Sequence, residues 1–141
     1  PNSLAKVAMY FEQNPHIAFL HGKTILFQEN IAQEKIKGAD SKDLNYKYLA
    51  GLPFPQPSAF FRKSAIEKYG LLDEKYHFGM DYDLFLRFFL NEECLNVADI
   101  FSKYLLHPNS KTVAQSAIFA KEYGIVFSKL LRSFSFTSDL I

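Results

Sequence analysis

The chain has 141 residues, 48% hydrophobic and 16% aromatic, with 15 Phe and 8 Tyr; that is one domain's worth of sequence, able to bury a core, and it excludes a disordered tail. A net charge of +1, with acids and bases interspersed, gives no electrostatic footprint for nucleic acid. The single Cys94 excludes an internal disulfide and a cysteine zinc cluster and fits a reducing compartment, and no apolar run reaches the length of a membrane span.

The opening residues, PNSLAKVAMYFEQ, lack the basic region and apolar stretch of a signal peptide. Leu4, Val7, Ala8 and Phe11 fall at i, i+3, i+4 and i+7, which predicts an amphipathic helix capped by Asn2 or Ser3 and ended by Asn14-Pro15. Ile17–Gln28 is rich in strand formers, with Gly22 as a bend or turn. The polar stretch Glu29–Lys42 reads as loop, with a short irregular helix as the alternative, and Asp43–Ala50 as a short helix stopped by Gly51. Prolines at 53, 55 and 57 make Leu52–Pro57 a rigid extended loop, since each lacks the N–H that ladders and helix interiors need. Ser58–Arg62 follows as a short strand and Ser64–Tyr69 as a short helix ended by Gly70. Asp81–Leu90 is a helix apolar nearly all round, so it should be buried. Leu95–Leu105 is one strand or two, broken near Asp99. Thr112–Leu131 is a long helix, with a fraying tail after Ser133. This alternation suggests one layered α/β domain over 1–141, with too few strands for a complete nucleotide-binding sheet.

Two aspartates stand at the mouth of the apolar helix. Taken alone, Asp81 is an N-cap or first-turn acid suited to the helix dipole, and Asp83 with Arg87 at i,i+4 is an intrahelical ion pair. Gln56 and Ser58 sit on the proline-braced loop, which presents polar groups at little entropic cost. His107 opens the segment His107-Pro108-Asn109-Ser110-Lys111-Thr112 and serves equally as a turn residue, a metal ligand or a phosphate partner. His16, His21 and His77 are unclustered and read as ordinary surface or strand residues.

Four pieces, in order and at consistent spacing, carry a resemblance: Pro55-Gln56-Pro57-Ser58, Phe61-Arg62-Lys63, Tyr69-Gly70-Leu71-Leu72-Asp73 and Asp81-Tyr82-Asp83-Leu84-Phe85-Leu86-Arg87. Together they resemble the acceptor-side half of family 2 glycosyltransferases, the inverting GT-A enzymes of bacterial surface polysaccharide synthesis. The likeness runs from Pro1 to about Tyr123, and Pro1-Asn2-Ser3-Leu4 resembles the segment just after that family's metal-binding D-x-D. It implies an incomplete GT-A-like α/β domain lacking the N-terminal nucleotide-binding half. Asp81 matches the family's general base, Gln56, Ser58 and Asp83 fall at substrate-binding positions, and His107 falls near the donor diphosphate and metal. Asp81-Tyr82-Asp83 itself spells D-x-D, but it follows polar loop and enters apolar helix, whereas the metal-binding motif ends an apolar strand. Two places depart from the pattern: Met80 stands where the family often has Glu, and Leu105 where it usually has Arg.

The resemblance further implies a UDP- or dTDP-type nucleotide-sugar donor, a glycan or lipid-linked acceptor, and Mg²⁺ or Mn²⁺ in the complete enzyme, with none bound by this chain alone. The chain alone is expected to be inactive, and to pair with a second copy through an exposed edge or apolar face. A cytoplasmic location follows, including peripheral contact at the inner face of the membrane. The rival readings are a non-catalytic half-domain that binds carbohydrate or protein, and a small α/β interaction domain with no glycan role.

Overall fold

A computed structural model describes residues 2–29, 31–38, 52, 54–107 and 116–133 of the chain. The expected helix over Asp43–Ala50, Pro53, residues 108–115 and the tail after Ser133 lie outside the described residues.

Helix α1 (Ser3–Gln13) starts after Asn2, whose side chain makes no capping bond. Its inward residues are Val7, Tyr10 and Phe11, while Leu4 is 75% exposed. The buried stripe is therefore rotated from the expected Leu4–Val7–Ala8–Phe11 face. Polar anchors set that rotation: Lys6 Nζ and Tyr10 OH both donate to the Asp99 carboxylate. At the other end, the Arg62 guanidinium donates to the Phe11 carbonyl (2.7 Å), one of those a helix end leaves unsatisfied, and to the Ile17 carbonyl (2.8 Å) in the segment leading to β1.

Strand β1 (Phe19–Gln28) is the centre of the sheet. It pairs in parallel with β4 (Cys94–Leu105) from Phe19 to Phe27. The opposite edge is therefore shared: β3 (Ala59–Phe61) lies antiparallel to residues 19–21 and β2 (Ile31–Lys37) antiparallel to Thr24–Gln28. Among the described residues, β2, β3 and β4 pair only with β1. Two expectations change here. Part of the stretch read as loop, Ile31–Lys37, is an edge strand, and Gly22 is a mid-strand residue. A Cβ at Gly22 would lie 2.5 Å from the Phe101 ring and 2.6 Å from the Asp99 carbonyl oxygen. The glycine is there for close approach of β4, which packs Phe101 onto it. The β1–β4 register slips at this point, with His21 opposite Asn96 and Lys23 opposite Ile100, so the break expected near Asp99 is an irregularity within one strand.

Successive strand residues point to opposite faces, and two cores result. Leu20 joins Val7, Ile17, Val97 and Phe101 under α1. Phe19 joins Phe54 and the helices α2 (Lys63–Tyr69), α3 (Met80–Asn91) and α4 (Ser116–Ser133) through Ala65, Phe85, Phe88 and Val126. The result is a mixed α/β fold with helices on both sheet faces. As expected, α3 is almost wholly buried. No helix among the described residues is long and apolar enough to cross a membrane.

His21 lies on the Phe19 face, fully buried, with its ring stacked on Phe54 at 4.3 Å. Burial pulls its pKa from 6.5 to about 4. An unfolded chain takes up a proton at His21 before the folded one does, so this group's contribution is complete above 6.5 and is lost as pH falls toward 4. The gap corresponds to about 3 kcal/mol. Urea unfolding across that range should show stability falling with acidification, and His21→Phe should flatten the slope; an unchanged slope in the variant would exclude His21 as its source.

Candidate active site

The site is assembled where α4 crosses the start of α3. Gly70, at φ 83, ends α2, and Asp73 holds a turn by accepting the Lys75 N–H on its side chain and the Tyr76 N–H on its carbonyl. The chain then enters α3 with Gly79 as N-cap, which has no side chain to close the helix. Glu122 of α4 does so instead. Its Oε1 accepts the N–H of His77 at 3.0 Å, and its Oε2 accepts those of Phe78 at 2.6 Å and Gly79 at 2.9 Å. Burial raises the Glu122 pKa, but the three N–H donors outweigh it and the net value is lowered.

Asp81 is the second residue of α3 and is half-buried. Its Oδ1 accepts the Tyr82 N–H at 2.7 Å. Burial raises its pKa, against lowering by the N–H groups of Tyr82 and of Asp81 itself. The Tyr82 and Tyr123 rings stack at 4.2 Å and 5°, and Tyr123 stacks in turn on Phe119 at 4.2 Å. The Tyr123 hydroxyl is pushed well above its ordinary value, by burial first and then by the Asp81 charge, so the carboxylate and this phenol lie in one electrostatic environment.

Asp83 has a different setting. It is 5% exposed and bonded to two cations, Arg87 Nε at 3.0 Å and Lys129 Nζ at 3.2 Å. The i,i+4 pair expected from spacing is therefore present, with Lys129 added from α4. Arg87 also donates to the carbonyls of Tyr69 and Leu71 at the end of α2, which joins the Tyr69–Asp73 block to the Asp81–Arg87 block. A cleft of about 210 Å³ opens on this side, lined by Asp83, Leu86, Arg87, Leu90, Asn91, Val126 and Lys129. Asp81 is not part of its lining. Asp83 thus bonds to protein cations, although it also borders the cleft where a substrate position was expected.

The other expected residues are scattered. Ser58 is fully buried. Its hydroxyl donates to the Lys23 carbonyl at 2.8 Å and lies 2.7 Å from both Thr24 Oγ1 and Ser102 Oγ. Thr24 Oγ1 and Ser102 Oγ are also 2.7 Å apart, so each of the three hydroxyl protons has an acceptor within the cluster or on the carbonyl. That differs from the substrate contact expected at Ser58, because a side chain with no surface cannot reach one: the residue ties the 3₁₀ turn Gln56–Ser58 to β1 and β4. Gln56 opens that turn with an exposed side chain. His107 is exposed just beyond β4. Among the described residues no three His, Cys, Asp or Glu side chains are grouped to hold a metal ion. Glu122, Tyr123 and Lys129 are further members of the site that sequence reasoning does not single out. They carry no local signal, because their partners lie some 40 residues earlier in the chain.

No protein-family model matches this chain, and no curated protein matches it.

Removing the Asp83 charge should cost more than removing its exposed partner Lys129. Loss of one partner of a fully buried pair costs about 3–5 kcal/mol; with Lys129 59% exposed, about 1–3 kcal/mol is expected for Asp83→Asn after solvent screening. Lys129→Ala should cost under about 1 kcal/mol. Equal, small shifts in urea midpoint for both variants would contradict this ranking.

Proposed function

We propose that the chain is the acceptor-side portion of an inverting glycosyltransferase of the GT-A type, with Asp81 as general base. The observation that carries this reading is the unequal treatment of two aspartates on one turn of helix. Asp83 is neutralised by two cations, whereas Asp81 has no cation partner among the described residues and burial raises its pKa. A carboxylate kept basic at the half-buried entrance of a rigid helix suits proton abstraction, because the best catalytic pKa lies nearer the working pH than an ordinary carboxylate does. The order of the four motif blocks, two of which are bonded together through Arg87, supports the same reading.

In the reaction proposed, the Asp81 carboxylate takes the proton of the acceptor hydroxyl as that oxygen attacks the anomeric carbon of the donor sugar. The bond from that carbon to the nucleoside diphosphate breaks, the leaving group departs with its electron pair, and the configuration inverts. The donor is a UDP- or dTDP-type sugar and the acceptor a glycan or lipid-linked glycan. The nucleotide and its Mg²⁺ or Mn²⁺ would be held mainly elsewhere in the complete enzyme, with His107 near the diphosphate, and proton abstraction by Asp81 itself needs no metal.

Asp81→Asn keeps the size of the side chain and part of its hydrogen bonding, and removes the base. Sugar transfer by the complete enzyme should fall by about two to four orders of magnitude, with donor affinity and thermal stability little changed. Near-normal turnover in a folded Asp81→Asn enzyme would remove Asp81 from the mechanism and leave a helix-entry acid.

A further inference from the structure

We propose that Glu122 is a positioning residue for Asp81: its carboxylate, clamped on the backbone N–H groups of His77, Phe78 and Gly79, fixes the start of α3 and keeps those donors from the aspartate. The inference rests on the reading of Asp81 as the working carboxylate.

A helix start leaves its first N–H groups without intrahelical partners. In the usual remedy, a side chain at the N-cap takes one, and a Glu or Gln at the third helical position reaches back to the N-cap N–H. Neither is available in α3, where the N-cap is Gly79 and the third position is Tyr82. Asp81 is then the nearest acid able to fold back onto those donors, and positively polarised helix ends draw carboxylates in. Glu122 prevents that by supplying the cap from α4, with both oxygens engaged at 2.6–3.0 Å. Asp81 is left holding the Tyr82 N–H at 2.7 Å.

The geometry makes the cap a rigid one. A Cβ at Gly79 would lie 3.4 Å from Glu122 Cβ and 3.5 Å from Val126, so the two backbones are close. The next residue of α4, Tyr123, stacks on Tyr82, the neighbour of Asp81. One turn of α4 therefore holds the residues on both sides of Asp81: backbone before it, ring after it. The ionisable groups at this corner are His77 before the helix, Tyr82 on α3, and Glu122 and Tyr123 on α4. Asp83 and Lys129 are engaged with each other on the cleft side.

The test needs no sugar, so it can fail while glycosyl transfer stands. The carboxyl carbon of Asp81 is titrated by NMR in the wild-type chain, Glu122→Ala and Glu122→Gln, and amide exchange is read at residues 77–83. In Glu122→Ala the freed donors turn to Asp81: its titration midpoint falls, and exchange at 77–79 speeds up about tenfold or more, as for a backbone bond opened to solvent. Glu122→Gln keeps one accepting oxygen without the charge and falls between. Equal midpoint falls in the two variants would assign the effect to lost charge and overturn the proposal, as would wild-type titration in folded Glu122→Ala. If Glu122→Ala does not fold, Glu122→Gln decides by exchange: faster exchange at 77–79 together with a lowered midpoint supports the clamp, and wild-type exchange overturns it, whatever the midpoint does, because a midpoint fall alone is the effect of the lost charge.

Discussion

Strand β1 is hydrogen-bonded to all three other strands of the described sheet and contributes a residue to each core. Its neighbours β2 and β3 run antiparallel to it and β4 runs parallel, and among the described residues no ladder joins any two of them directly. Phe19 and Leu20, both fully buried, separate the layer under α1 from the layer under α3. The two adjacent residues that follow show how tightly the strand is confined. His21 is buried deeply enough to stay neutral, and Gly22 has no room for a single carbon beside Phe101.

The placement of the candidate site follows from that strand. Phe19 packs on Phe85 and Phe88 of α3, at ring separations of 5.3 and 6.3 Å, which fixes the helix against the sheet. Its other side is then open to α4, which brings Val126 to the core, Lys129 to Asp83 and Glu122 to the helix entry. The aspartates at 81 and 83 diverge because α4 meets them with different chemistry. Near Asp83 it offers a cation, and near Asp81 it offers aromatic surface and an acid already committed to backbone N–H groups. Burying an acid beside a cation secures packing, whereas burying one beside phenol rings raises its proton affinity.

Much of this was legible locally. Periodicity located α1, a run of apolar residues located α3, Gly70 marked the end of α2, and the i,i+4 spacing identified the Asp83–Arg87 pair. The loss of β2 has a physical reason. Gln33, Glu34, Lys35 and Lys37 populate an exposed edge strand, where charge discourages further pairing, and the same charges erase the alternation by which a strand is recognised. Gly22 reads as a bend or turn because a glycine needed for close approach looks, in sequence, like one needed for a turn. His21 reads as an ordinary surface or strand residue; of the two it is a strand residue, and its burial depends on Phe54, which comes 33 residues later. Ser58 was expected at the surface because it follows prolines; its partners Thr24 and Ser102 come from two other strands. The contacts that distinguish Asp81 from Asp83 are likewise tertiary, and only the aspartates themselves were visible beforehand.

Native-state amide hydrogen exchange tests most directly whether β1 organises the fold. The β1 amides that bond into the ladder, from Phe19 to Leu26, should open only with global unfolding, so their exchange free energies should equal the unfolding free energy from urea titration. Those of β2, at the exposed edge, should be lower. Exchange of the β1 amides through local openings at clearly lower free energy than those of α3 would contradict the account, because the helix would then persist without the strand it is said to depend on.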